Sequence, residues 1–315
     1  MRVAILDDYQ DVALQAADWS PVPATIDVFR EPLGDEDAVV SALQPYDVLV
    51  TMRERTALPE SALGRLPNLR LIVVTGNRNK AIDIAACAGL GITVSGTGPL
   101  TEGGTAELTW ALILAAAKRL PAELASVRAG GWTSQLGTTL TRKTLGVLGL
   151  GNLGSRVAAI GNAFGMRVVA WSQNLTEERA AEAGATLVGK DELFAASDVL
   201  TIHLVLSDRT RGLVGEPELR LMKPDAWLVN TSRGPICDED ALLQACRERW
   251  IAGAALDVYD REPLPADHPL RTLDNVLATP HIGYVTEETY TSWYRDAVEN
   301  IVAFAGGSPI RVRHS

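Results

Sequence analysis

The chain is short of cysteine, of positive charge and of long apolar runs. Three cysteines, Cys87, Cys237 and Cys246, are spread over 315 residues. They are too few and too scattered for a disulfide framework or a zinc site. Lysine and arginine number 29 against 39 aspartates and glutamates, a formal net charge of -10. That deficit argues against nucleic acid or an anionic membrane as partner, since both select a cationic surface. It still permits a small anionic ligand, because a few clustered arginines outweigh the global field. No uncharged apolar stretch reaches about 18 residues, so no transmembrane helix is expected. The opening Arg2-Val3-Ala4-Ile5-Leu6-Asp7 lacks the basic and long apolar regions of a signal peptide. The expectation is a cytoplasmic protein.

What is present reads as globular. Hydrophobic residues make up 47% and charged residues 22%, an ordinary soluble composition. At about 150 residues per domain, the length allows about two domains. Apolar runs at 3–6, 25–29, 48–51, 71–75 and 92–95 read as five strands, with helical segments near 36–43, 60–63 and 82–88. The runs are nearly continuous rather than alternating, as in strands covered on both faces. Alternating β and α segments predict a doubly wound parallel sheet.

The pattern breaks at the loop Gly96-Thr97-Gly98-Pro99. An apolar helix follows over 107–120, which must be buried within one subunit, between domains or between subunits. After a polar connection through Lys143, six more strands are expected at 145–148, 167–171, 199–203, 227–230, 253–257 and 276–279. A final helix is expected from residue 287 to about 305. No strand follows it, so it is expected to return to the first domain. The predicted fold class is α/β, with two doubly wound parallel-sheet domains, Rossmann-like and flavodoxin-like, and a cleft between them. Residues 1–98 plus 286–315 would form a discontinuous substrate domain, and residues 99–285 the dinucleotide-binding domain.

The second series opens with Gly149-Leu150-Gly151-Asn152-Leu153-Gly154, directly after a strand and before a helix. In that context the glycines give a tight turn and let a pyrophosphate approach the backbone and the helix N-terminus. The next strand ends in Ser172-Gln173-Asn174, where an acidic residue would favour the ribose hydroxyls of NAD. No carboxylate there repels a 2′-phosphate, and no arginine attracts one. NAD is the expected cofactor, with NADP open.

Ligands of open α/β sheets sit at the carboxyl ends of strands. Three such ends carry Arg233, Glu262 and His281. Reduction of a 2-keto acid needs a carboxylate clamp, a polarised carbonyl and a proton. Arginine offers the planar fork. Histidine offers the proton, and a neighbouring glutamate favours its charged form and fixes the ring. His203 in a strand, His268 in a proline-rich loop and His314 in the tail read as structural.

These motifs resemble the D-isomer-specific 2-hydroxyacid dehydrogenase family. They are the 149–154 loop, Asn230-Thr231-Ser232-Arg233-Gly234, the run from Leu256-Asp257-Val258-Tyr259 to Glu262-Pro263, and Thr279-Pro280-His281-Ile282-Gly283. That family includes phosphoglycerate dehydrogenase, glyoxylate/hydroxypyruvate reductase and D-lactate dehydrogenase. The resemblance runs from about residue 53 to residue 307. It implies an NAD(P)-dependent oxidoreductase acting on a small anionic 2-keto or D-2-hydroxy acid. Arg233 would bind the carboxylate and carbonyl, and His281, paired with Glu262, would exchange the proton. Gly149, Gly151, Asn152, Leu153, Gly154, Ser172, Gln173, Thr231, Ser232, Asp257 and Gly283 would line the cofactor, Asp257 near the nicotinamide carboxamide.

In the first domain, Thr75-Gly76-Asn77-Arg78 resembles the loop whose amides hold the substrate carboxylate, and Arg53-Glu54-Arg55-Thr56 resembles a substrate-facing loop. Arg53, Arg55, Arg78 and Lys80 could serve a doubly charged substrate, or simply pair with nearby acids. The resemblance also implies a homodimer formed through the nucleotide-binding domain, with Gln135 reaching the partner's site. The glutamate–histidine pair separates the chain from formate dehydrogenases. No C-terminal regulatory domain is expected. A second reading is an NAD(H)-binding regulatory scaffold of the corepressor type, which shares architecture and triad. Such a scaffold would be expected to carry a peptide groove or a long disordered tail, and neither a tail nor a charge run is visible.

Overall fold

The structure, a computed structural model, describes residues 1–76, 79–98 and 103–313. The chain divides into two compact units, Met1–Glu102 with Val285–Ser315, and Gly103–Tyr284.

The first unit begins with β1 (Arg2–Ile5), α1 (Ala13–Ala16), β2 (Thr25–Val28), α2 (Glu36–Leu43), β3 (Val48–Thr51), α3 (Glu60–Leu63), β4 (Leu71–Val74), α4 (Ile84–Gly89) and β5 (Thr93–Gly96). The strands form one parallel sheet in the order β2-β1-β3-β4-β5. Every residue of β3 and β4 is buried, which explains why these runs carry no polar alternation. Asp35 and Asp83 cap α2 and α4 by accepting the Ala38 and Ala86 amides.

The second unit opens with α5 (Gly104–Ala117) and α6 (Leu120–Arg128). Then come β6 (Thr144–Leu148), α7 (Asn152–Ala163), β7 (Arg167–Trp171), α8 (Glu177–Glu182), β8 (Thr186–Leu187), α9 (Lys190–Ala196) and β9 (Val199–Ile202). The unit ends with α10 (Glu216–Leu221), β10 (Trp227–Asn230), α11 (Glu239–Arg247), β11 (Gly253–Leu256) and β12 (Val276–Ala278). The order is β12-β11-β10-β9-β6-β7-β8, all parallel. The winding reverses between β6 and β9, the seam at which such sheets bind dinucleotides.

Two expectations change here. The sheet has seven strands, not six. The extra strand, β8, is a two-residue edge piece whose residues are only partly covered, so it leaves no apolar run to read. The helix expected over 107–120 instead spans Gly104–Ala117 and stops where Arg119 takes a left-handed backbone, φ +53°. Pro121 then opens α6, where a proline needs no amide partner. α5 buries Trp110, Leu112 and Ile113 within its own unit. α6 buries nothing. Leu120, Leu124 and Val127 are exposed, as are Trp132 and Leu136 beyond them.

The last helix, α12 (Glu287–Ala305), belongs to the first unit and packs against α1 and β4. Its Trp293 and Tyr294 are fully buried. Trp293 donates to the Gly98 carbonyl at 3.1 Å and Asn300 to the Gly96 carbonyl at 3.0 Å. Beyond the helix, Val312 bridges Ser95 antiparallel and the Arg313 amide donates to the Val94 carbonyl, covering the β5 edge. Among the described residues no helix is long and apolar enough to cross a membrane.

Candidate active site

The glycine loop joins β6 to α7 at the sheet's seam. Gly149 has φ +101°, and a side chain on it would run into the His203 backbone at the end of β9. Gly154, inside α7, has no room for a Cβ because the Gly149 carbonyl lies there. Gly151 differs, since a Cβ on it would meet nothing within 4 Å. Space is therefore open in front of the first turn of α7, where Asn152 and Leu153 present helix amides and their exposed side chains. Unsatisfied amides and the helix dipole suit a phosphate group at that point. The residues present thus fit a dinucleotide pyrophosphate. At the end of β7, Ser172 is partly buried and Gln173 is exposed, with no carboxylate between Trp171 and Leu175.

The adjacent strands β10, β11 and β12 deliver the remaining groups. The turn after β10 is tied down from within. Asn230 is buried; its amide donates to the Arg233 carbonyl and its oxygen accepts the Ser232 amide, both at 3.0 Å. The Ser232 hydroxyl donates to the Leu204 carbonyl at 2.5 Å, and Thr231 shares a 2.8 Å hydroxyl contact with Thr109 of α5. The Arg233 guanidinium reaches the Ser232 carbonyl at 2.8 Å. Gly234 follows because the Tyr259–Asp260 backbone lies where its Cβ would be. The Arg233 turn and the Glu262 loop are therefore pressed together.

Asp257, 1% exposed, organises the loop after β12. One carboxylate oxygen accepts the Thr279 hydroxyl at 2.6 Å and the Ile282 amide at 2.8 Å; the other accepts the Gly283 amide at 2.9 Å. Burial pushes its carboxyl up, and these donors and His281 oppose that. The Gly283 carbonyl accepts the Thr105 hydroxyl at 3.0 Å. His281, between these anchors, has φ +53°. Its Nδ1 lies 2.5 Å from Glu262 Oε2, and its ring meets Tyr284 edge-on at 5.5 Å. Glu262 Oε1 accepts the Tyr259 amide at 2.9 Å. Burial pushes the Glu262 carboxyl up, but the bond and charge of His281, the Tyr259 amide and the Arg233 charge outweigh it, and the net shift is down. The pair keeps 23% and 34% of its side-chain surface exposed, so a ligand can reach it.

Arg233, Glu262, His281 and Asp257 thus lie in one cluster of the second unit, together with Gly283. The first-unit candidates form a cluster of their own. Arg53 has φ +52°, its amide donates to the Thr75 hydroxyl at 2.8 Å, and its guanidinium fills the space beside Gly76. The Gly76 amide donates to the Thr97 hydroxyl at 2.8 Å, so it is already committed. Asn77 and Arg78 lie outside the described residues, as does His314. Arg55 lies over the Tyr9 ring at 4.4 Å and donates to the Asp7 carbonyl at 2.7 Å. Sequence reading missed Tyr259, whose amide steadies Glu262 and whose hydroxyl donates to the Leu256 and Thr279 carbonyls. Its place beside the Asp257 strand end was the available signal. No group of acidic, histidine or cysteine side chains suited to a metal occurs among the described residues.

Residues 110–283 match the model of the D-isomer specific 2-hydroxyacid dehydrogenase NAD-binding domain. The chain is 45% identical over 282 residues to a glyoxylate reductase of Aeropyrum pernix, covering 84% of each protein. It is 38% identical to a D-3-phosphoglycerate dehydrogenase of Archaeoglobus fulgidus, covering 87% of this chain and 52% of that one. Among solved structures, a phosphoglycerate oxidoreductase from Vibrio cholerae aligns with a TM-score of 0.91 at 40% identity, over 98% of this chain and 100% of that one. The fold agrees with these likenesses, and the chain belongs to the D-isomer specific 2-hydroxyacid dehydrogenase family as an NAD-dependent oxidoreductase.

Proposed function

We propose that the protein interconverts a small 2-keto acid and the corresponding D-2-hydroxy acid, with His281 exchanging the proton. The 2.5 Å contact between His281 Nδ1 and Glu262 carries this reading, because it leaves Nε2 as the nitrogen available to substrate. In the reduction, the Arg233 guanidinium pairs with the substrate carboxylate and draws charge toward the carbonyl oxygen. His281 gives its Nε2 proton to that oxygen as negative charge develops. Glu262 holds the ring by Nδ1 and orients Nε2 toward the substrate. NADH, when bound, supplies the hydride that reaches the keto carbon.

The backbone at Gly149, Gly151 and Gly154, with Asn152 and Leu153, would hold the cofactor's pyrophosphate. Ser172 and Gln173 would meet its adenosine ribose, and Thr231, Ser232, Asp257 and Gly283 its nicotinamide half. Arg53, Gly76, Asn77 and Arg78 are assigned to the substrate, and the committed Gly76 amide moves the weight of carboxylate binding to its neighbours. Leu120, Leu124, Val127, Trp132 and Leu136 form an exposed apolar set that supports a homodimer through the second unit.

A panel of glyoxylate, hydroxypyruvate, pyruvate and phosphohydroxypyruvate, run with NADH and NADPH, tests the reading. Turnover is expected with at least one acid. His281→Ala and Arg233→Ala should each lose about 100-fold or more while still binding NADH. Tight NADH binding without turnover on any acid would favour the corepressor-type scaffold.

A further inference from the structure

Glu262 sits in an irregular segment between β11 and β12, residues 257–275, whose only regular piece is a short 3-10 turn, Pro269–Arg271. Such a segment does not by itself hold a carboxylate in place. One side chain from outside fastens it at two points. Glu239, the first residue of α11, accepts the Asp260 amide on Oε2 at 3.2 Å. Its Oε1 lies 3.1 Å from Nε2 of His268. The other His268 nitrogen, Nδ1, accepts the Leu270 amide at 3.3 Å. With Nδ1 taken as acceptor, Nε2 is the nitrogen left to donate toward Glu239. Both side chains are largely covered, at 24% and 19% exposure. The two anchor points bracket Glu262. Arg271 closes the stretch between them by donating to the Pro265 and Leu264 carbonyls.

An acidic residue in the first turn of a helix is ordinary, because the helix dipole favours it. The dipole does not explain why both Glu239 oxygens are spent on one loop. Nor are the surroundings favourable to another anion. Asp238 and Asp240 flank Glu239, and the Asp260 carboxyl is pushed up by burial and by these three acids, with Arg211 opposing.

We propose that Glu239 and His268 are positioning residues for the proton-exchanging pair, a clasp that keeps the Glu262 carboxylate on His281. The proposal rests on the reading that His281 and Glu262 exchange the proton. Among the described residues, the charged and titratable groups facing that pair are Arg233, Asp257, Tyr259 and Tyr284, and none of them is altered in the test.

The test uses the full chain and the best keto acid of the panel. It compares Glu239→Ala, His268→Ala, their double variant, His268→Gln and Glu262→Gln. It measures kcat, KM, NADH affinity, thermal melting and the pH profile of reduction. A displaced carboxylate should lower kcat about 10- to 100-fold, with KM and NADH affinity little changed. The double variant should lose no more than the worse single, since one clasp is broken either way. The pH profile should move as it does in Glu262→Gln. In His268→Gln the carboxamide can still donate to Glu239, so it should recover most of the rate. Glu239→Gln, which keeps an acceptor for the Asp260 amide, replaces Glu239→Ala if that variant does not fold. Rates that fall only with the folded fraction, with a pH profile unmoved while Glu262→Gln moves it, overturn the clasp alone. A Glu262→Gln profile identical to wild type overturns the acid–base reading and the clasp with it.

Discussion

Glu262 touches His281 through one carboxylate oxygen and the Tyr259 amide through the other. The histidine is thus held by a group that is itself held, and only its Nε2 side remains for chemistry. The contact also works in reverse, since His281 holds the Glu262 carboxyl below its ordinary value against the push of burial.

Glu262→Gln should therefore change pH behaviour more than binding. The carboxylate tethers the ring by Nδ1 and balances the charge of the protonated form that reduction consumes. Without it, reduction should lose the most rate. Oxidation, which begins from the neutral ring, should be hurt less. Initial rates in both directions across pH give the comparison, and parallel losses in the two directions would contradict the assignment.

The glycine loop predicts two different failures. Gly154→Ala puts a Cβ onto the Gly149 carbonyl, so it should cost about 1–3 kcal/mol of stability. Gly151→Ala meets nothing in the protein and should melt like wild type. It should instead weaken NADH binding, because its methyl group enters the space given to the pyrophosphate. Melting curves and NADH fluorescence titrations separate the two. Normal NADH affinity in Gly151→Ala would move the pyrophosphate elsewhere.

Ser172→Asp should sharpen the cofactor preference. A carboxylate at the end of β7 binds ribose hydroxyls and repels a 2′-phosphate. The kcat/KM with NADPH should drop about 10-fold or more while that with NADH holds or rises. Equal effects on both cofactors would show that Ser172 does not face the ribose.

His203 predicts an acid sensitivity of the fold. Its Nε2 is buried without a hydrogen-bond partner among the described residues, and burial holds the imidazole down to about 4. The unfolded chain takes the proton near the ordinary value of about 6.5. Stability from the neutral ring is therefore present at and above that value and is lost as pH falls toward 4. Glu262, whose carboxyl is depressed, keeps its contribution until the pH drops below about 4.5. Between about pH 7 and pH 5 the melting temperature should fall less in His203→Gln than in wild type. Equal falls would assign the acid sensitivity to other groups.

Much of this was legible because the relevant signals are local. Buried parallel strands are short apolar runs, and β3, β4, β6 and β10 read directly as such. The glycine loop lies between a strand and a helix and names itself. Arg233, Glu262 and His281 stand at strand ends, so topology gathers them once the sheet order is known. What could not be read lacks a local signature. β8 is two partly covered residues. The break at Arg119 involves no glycine, and Pro121 was its one mark. The Gly76 amide looks available until Thr97, 21 residues on, is seen to take it. Glu239 and His268 are 29 residues apart and meet only when the segment after β11 folds back.

The return of α12 has a consequence for synthesis. The first unit leaves the ribosome early, yet Trp293 and Tyr294, two of its largest buried side chains, are nearly two hundred residues away in sequence. The Gly98 amide waits for Asp296, 198 positions later. The second unit, continuous in sequence, can finish first, while the first waits as an open sheet with its β5 edge unpaired. The first unit therefore cannot close its core until its last helix has been made. Until residues 311–313 pair with it, the β5 edge is open to association with other chains.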